Sequence, residues 1–127
     1  MAAVELVSPA NKDRPESRRA FAAKCAGLLR ERVSVVIVDL VTTRTHSLYA
    51  ELFALIGLAG PNPDPPLYAN ACRLTKREAD WTLEAWAHPL DLGRPLPTVP
   101  LWLADDLAVP LDLEESYEQS CDILSIP

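Results

Sequence analysis

Residues 33–41 read Val-Ser-Val-Val-Ile-Val-Asp-Leu-Val, an almost unbroken β-branched run. Branched side chains pack well on a pleated surface, and a strand without polar alternation needs cover on both of its faces. A parallel neighbour is therefore expected. Residues 2–8 supply it: Ala2 to Val7 is apolar apart from Glu5, and Ser8-Pro9-Ala10-Asn11 closes the strand in a polar turn. Between the two strands, Phe21, Cys25, Leu28 and Leu29 recur at helical spacing, which predicts a helix over 16–32 with one apolar stripe. Asp13-Arg14-Pro15-Glu16 resembles a capping arrangement at its start. Strand, helix and parallel strand form one βαβ unit, and ligands of such units bind beyond the carboxyl ends of the strands.

The remainder adds short, sharply bounded elements. Thr45 or Ser47 caps a helix over 47–56, which Gly57 or Gly60 ends, and a proline-rich loop follows. Residues 67–88 read as a hairpin around Thr75-Lys76-Arg77-Glu78. In its second arm Trp81, Leu83, Ala85 and Ala87 alternate with Thr82, Glu84, Trp86 and His88, so one face is expected in the core and the other partly wet. Thr98 to Leu103 is a short run whose Pro100 suits a sheet edge. Residues 112–124 form a closing helix with Leu113, Tyr117, Cys121 and Leu124 as its stripe. The expected fold is α/β, a mixed sheet with a βαβ core plus a hairpin, in a single domain spanning 1–127.

Charge narrows the function. Residues 1–50 carry eight Lys/Arg against five Asp/Glu, and residues 51–127 carry four against thirteen, so an anionic ligand is expected to favour the first half. The net charge of −6 does not support nucleic acid as a partner, because non-specific binding needs many phosphate-neutralising cations. Met1 leads straight into a strand with no basic leader, and no apolar run approaches 18 residues; no membrane contact and a cytoplasmic address are expected. Cys25, Cys72 and Cys121 are odd in number and widely spaced within apolar patterns, as reduced packing residues are.

Two carboxylates interrupt otherwise apolar strands, Glu5 in the first and Asp39 near the end of the second. A buried carboxylate needs a cation, several donors or a metal. Glu5 is either satisfied by a neighbouring cation or backbone, or it serves a site. Asp39 either bonds the turn that follows or joins Glu5 at the strand ends. Lys12 follows the first turn, and Lys24 borders the buried face of the helix, from which it can lean back toward the sheet. Trp86 beside His88 either stacks a ligand or simply packs, and neither His46 nor His88 has triad partners at a recognisable spacing.

Val-Glu-Leu-Val-Ser-Pro-Ala-Asn-Lys at 4–12, Val-Val-Ile-Val-Asp-Leu at 35–40 and Leu-Pro-Thr-Val-Pro-Leu at 96–101 together resemble a bacterial family called domain of unknown function 4058. The chain looks like its C-terminal half. That family is in turn similar to the PD-(D/E)XK nuclease-like superfamily, which implies a restriction-endonuclease-like fold and a site in which carboxylates hold a divalent cation that activates water while a lysine steadies phosphate charge. The resemblance makes Glu5 the strand acid, with Lys12 or Lys24 as the lysine, Glu5 and Asp39 as ligands, and Mg2+ as the cofactor. Val7 stands where the core motif has lysine, and no residue before Glu5 supplies the upstream Asp. The resemblance therefore implies a nuclease-like domain that is incomplete and inactive alone. The alternative is a non-catalytic interaction domain, forming a homo-oligomer or pairing with an upstream half on another chain.

Overall fold

A computed structural model describes residues 1–44, 46–59 and 65–124. Strand β1 (Ala2–Leu6) is followed by helices α1 (Pro9–Asp13) and α2 (Pro15–Arg30), strand β2 (Ser34–Asp39), helix α3 (Leu48–Leu55), strands β3 (Tyr68–Arg77), β4 (Asp80–Pro89), β5 (Thr98–Ala104) and β6 (Leu107–Asp112), and helix α4 (Leu113–Leu124). Four strands form one sheet in the order β1-β2-β3-β4, parallel between β1 and β2 and antiparallel beyond; β5 and β6 pair in a second, two-stranded sheet. The mixed α/β character, the βαβ opening and the hairpin match the expectation.

All six residues of β2 are buried, because the strand is covered on both faces. On one side Val35 and Ile37 meet Phe21, Cys25 and Leu29 of α2 and Leu48, Tyr49 and Leu52 of α3. On the other, Val36 and Val38 join Ala69, Ala71 and Val99, with Leu101 and Leu111 of the β5–β6 pair packed against them. The absence of polar alternation in residues 33–41 is thus accounted for by two hydrophobic layers on one strand.

Local chemistry sets the boundaries. The Ser47 hydroxyl accepts from the Ala50 N–H and so caps α3. The buried Tyr68 hydroxyl accepts from the Tyr49 N–H, a second first-turn donor that would otherwise be orphaned. Gly57, at φ +79°, ends α3 in the left-handed region that glycine enters at no steric cost. Thr45 and Gly60, the other expected cap and stop, lie outside the described residues. Asp112 caps α4 by accepting from the Glu115 N–H at 2.9 Å.

Three expectations are corrected. Pro9–Asp13 is a short helix rather than a turn, closed by the Ser8 N–H and hydroxyl both donating to Asn11 Oδ1. Asp13 belongs to that helix and pairs with Arg44 at 3.1 Å; the N-cap of α2 is Arg14, with no side-chain cap. The run at 98–103 pairs with β6 in the second sheet, where both strands are edges, so Pro100 stands on an edge strand as its ring suggested. No residue of α4 is fully buried: Leu113 packs against the second core layer, but Tyr117 and Leu124 are exposed, so its apolar stripe is covered only at its start.

Candidate functional site

The parallel register sets Glu5 beside Ile37, and Asp39 lies two residues further along β2. Alternation places Glu5, Ile37 and Asp39 on the helix-covered face. Because α1 turns back immediately after β1, Lys12 reaches inward from it, and Lys24 comes from the third turn of α2. The four residues singled out in the sequence thus share one side of the sheet near the ends of its parallel strands.

They are joined as two separate pairs. Lys12 Nζ donates to Asp39 Oδ2 at 2.8 Å, and both side chains are sealed, at 1% and 0% exposure. Asp39 Oδ1 accepts from the Val41 N–H at 3.0 Å, just ahead of the Thr42-Thr43-Arg44 segment it was expected to bond. Lys24 Nζ meets Glu5 Oε2 at 3.0 Å, with 59% of the lysine side chain in solvent. The second pair lines an open groove of about 550 Å³ between β1, α1 and α2, together with Asn11, Ser17 and Phe21.

This arrangement limits the chemistry. Magnesium takes near-octahedral oxygen ligation, from one or two free carboxylates and several waters. Glu5 and Asp39 each face an ammonium instead, and no group of three or more His, Cys, Asp or Glu side chains among the described residues is arranged to hold a metal. The donor set does not fit a magnesium ion. Lys12 lies out of reach of a phosphate approaching from solvent. The buried thiols offer no nucleophile at neutral pH, since burial pushes Cys25 and Cys72 each up to about 12.

The Glu5–Lys24 pair is an exposed contact, and such pairs contribute little after solvent screening and side-chain ordering. Lys24→Met is therefore expected to change unfolding stability by less than about 1 kcal/mol in urea titration; a larger loss would mean that the groove excludes water around Glu5.

Trp86 is not the exposed stacking platform that alternation left open. It sits 5.6 Å from Trp102, centroid to centroid, and the Arg73 guanidinium lies 3.5 Å from the Trp102 centroid. The solvent-facing ring of the strand is Trp81, with Arg32 at 5.4 Å. His88 donates its backbone N–H to Asn70 Oδ1, and its Nδ1 makes no hydrogen bond among the described residues. Glu84 is held below the ordinary carboxylate range, first by the hydrogen bond from Arg77 and then by that from Thr75.

Sequence reasoning missed a second cleft, of about 500 Å³, beyond the end of β2, where Leu40, Leu90, Leu96, Arg94 and Tyr117 meet. Its residues come from four separate segments, so no local pattern announces it.

The most distinctive open feature is the outer edge of β1. Ser34 N–H donates to Met1 C=O and Val7 N–H donates to Val38 C=O, so odd-numbered residues of this segment bond inward to β2. Successive residues of a strand turn their backbone groups to opposite sides, and Ala2, Val4 and Leu6 therefore present N–H and C=O groups outward. Among the described residues no strand pairs with that edge. Val4 and Leu6 are 43% and 71% exposed; their partners in the register, Val36 and Val38, belong to the face covered by β5–β6. No helix among the described residues is long and apolar enough to cross a membrane. Searches of family models, curated proteins and solved structures find no match to this chain.

Proposed function

We propose that this chain is a non-catalytic association domain that takes a strand from another polypeptide onto the free edge of β1. The observation that carries this reading is the row of outward backbone groups on Ala2, Val4 and Leu6, set in an apolar strand whose single charge, Glu5, is already neutralised by Lys24. Open edges of this kind recruit partners, and proteins that avoid recruitment place charges or proline on them. The opposite edge, β4, begins at Asp80 and ends at Pro89. The β1 edge has no such protection.

Nuclease-like chemistry, which the family resemblance implies, asks for a metal ligand set that these pairs do not offer. An Asp from an upstream segment on an adjacent strand is what that chemistry would need. Such a segment would occupy the same edge of β1, so strand addition is the common requirement of both readings.

A blocked peptide of alternating Val and Thr is a generic added strand. Titrated into isotopically labelled protein, it is expected to shift the amide signals of Ala2, Val4 and Leu6 first. Val4→Pro removes one outward N–H without touching the ladder to β2, and is expected to weaken peptide binding about fivefold or more, the worth of a single hydrogen bond. Shifts confined to β4, or binding indifferent to Val4→Pro, would overturn the reading.

A further inference from the structure

Which strand the edge accepts is constrained by its own register. Only Ala2, Val4 and Leu6 offer outward bonds, so an antiparallel partner must set its own outward residues against them in pairs that exchange both N–H···O bonds. A second copy of β1, related by a two-fold axis normal to the sheet, can do this in a few registers. Centred on Val4, it pairs Ala2 with Leu6, Val4 with Val4 and Leu6 with Ala2, and uses every outward group. Centred on Ala3, it strands Leu6. Centred on Glu5, it strands Ala2 and sets two carboxylates directly against each other, which is destabilising.

The Val4-centred register also matches size and charge. On the β5–β6 side, large Leu6 meets small Ala2, and the two Val4 side chains meet each other, covering the exposed apolar surface of the strand. On the helix side each Glu5 lies opposite Ala3 and keeps its own Lys24, so the junction carries no net charge. Room beside it exists in the groove lined by Glu5, Ser17 and Lys24.

We infer that the strand added to β1 is β1 of a second copy of this chain, antiparallel and centred on Val4, giving a continuous eight-stranded sheet across a two-fold axis. This rests on the strand-addition reading above and names its partner. A closed two-fold contact is the commonest form of self-association, and it consumes the edge completely.

The test is disulfide trapping in a Cys121→Ser background, where the remaining native thiols, Cys25 and Cys72, are buried. Directly opposed residues in such a pair lie about 5.5 Å apart at Cα, within disulfide range. Wild-type protein is expected to be a dimer by light scattering, and Val4→Cys is expected to form a covalent dimer under mild oxidation. Leu6→Cys is expected to cross-link at least tenfold more slowly, because its copy lies four residues away along the strand. The Ala2→Cys/Leu6→Cys pair of substitutions in one chain is expected to restore fast cross-linking. A wild-type protein that stays monomeric at high concentration overturns the second-copy inference and leaves strand addition to the peptide titration. A dimer that Val4→Cys fails to trap also overturns it. A dimer trapped as fast through Leu6→Cys overturns the register. A dimer that Val4→Pro leaves intact overturns the inference.

Discussion

Lys12→Met is expected to cost about 3–5 kcal/mol of folding stability, the usual loss when one member of a buried ion pair is removed and the other stays charged out of water. Asp39 is fully buried, and its second oxygen is already committed to the Val41 N–H, so no solvent stands ready to replace the ammonium. Asp39→Asn should cost a similar amount, because it keeps the oxygen that serves Val41 but leaves the Lys12 charge unpaired. The double variant Lys12→Met/Asp39→Asn removes both charges and should recover most of the loss, giving a coupling energy of roughly 2 kcal/mol or more in a double-mutant cycle followed by urea unfolding. Additive single effects would show that water reaches the pair. The outcome bears on function as well: a lysine fixed in this way ties α1 to the end of β2 and is not held in readiness for a phosphate.

Trp102→Ala is expected to destabilise the protein by about 3 kcal/mol, near the lower bound for truncating a large aromatic, since its ring is only half-buried. Trp102 is the point where the two-stranded sheet grips the main one. Its ring lies under the Arg73 guanidinium and beside Trp86, and its carbonyl accepts from the Ser34 hydroxyl at 2.5 Å. Arg73 is itself anchored by donating to the Asp105 carbonyl at 2.9 Å, and its side chain is only 13% exposed. Truncating the ring leaves that cation partly buried without the face it rests on, a contact worth about 2 kcal/mol when desolvated. The thermal midpoint should fall by on the order of 10 °C, and the near-ultraviolet circular dichroism of the two indoles should be lost with it. Trp102→Phe keeps an aromatic face and should retain most of the midpoint. A loss below about 1 kcal/mol for Trp102→Ala would mean that β5 and β6 dock through Val99 and Leu101 alone.

Periodicity reported what each segment wanted to bury. It located β1, β2, the hairpin and the three helices α2, α3 and α4 near their observed bounds, because apolar spacing is a local property that survives folding. It also singled out Glu5, Lys12, Lys24 and Asp39, since charge amid apolar neighbours is visible in one dimension. It could not distribute them. Whether Asp39 meets a metal, a turn or Lys12 depends on α1, a five-residue helix that reads as a turn because its closing bonds come from a single Asn11 side chain. Likewise, the spacing of Leu113, Tyr117, Cys121 and Leu124 is that of a buried stripe, but burial needs a facing surface, and the core reaches only Leu113 at the start of α4, leaving Tyr117 and Leu124 exposed.

By itself, then, the sequence determined the types of the longer elements, the parallel opening and the set of residues whose charges had to be accounted for, all consequences of side-chain chemistry along the chain. Only the tertiary structure decided which charge neutralises which, that Trp86 is enclosed by Arg73 and Trp102, and that β1 stands at an edge with three residues turned outward. Those depend on which strands become neighbours, a long-range choice set by the joint packing of two hydrophobic layers on β2 rather than by any segment alone.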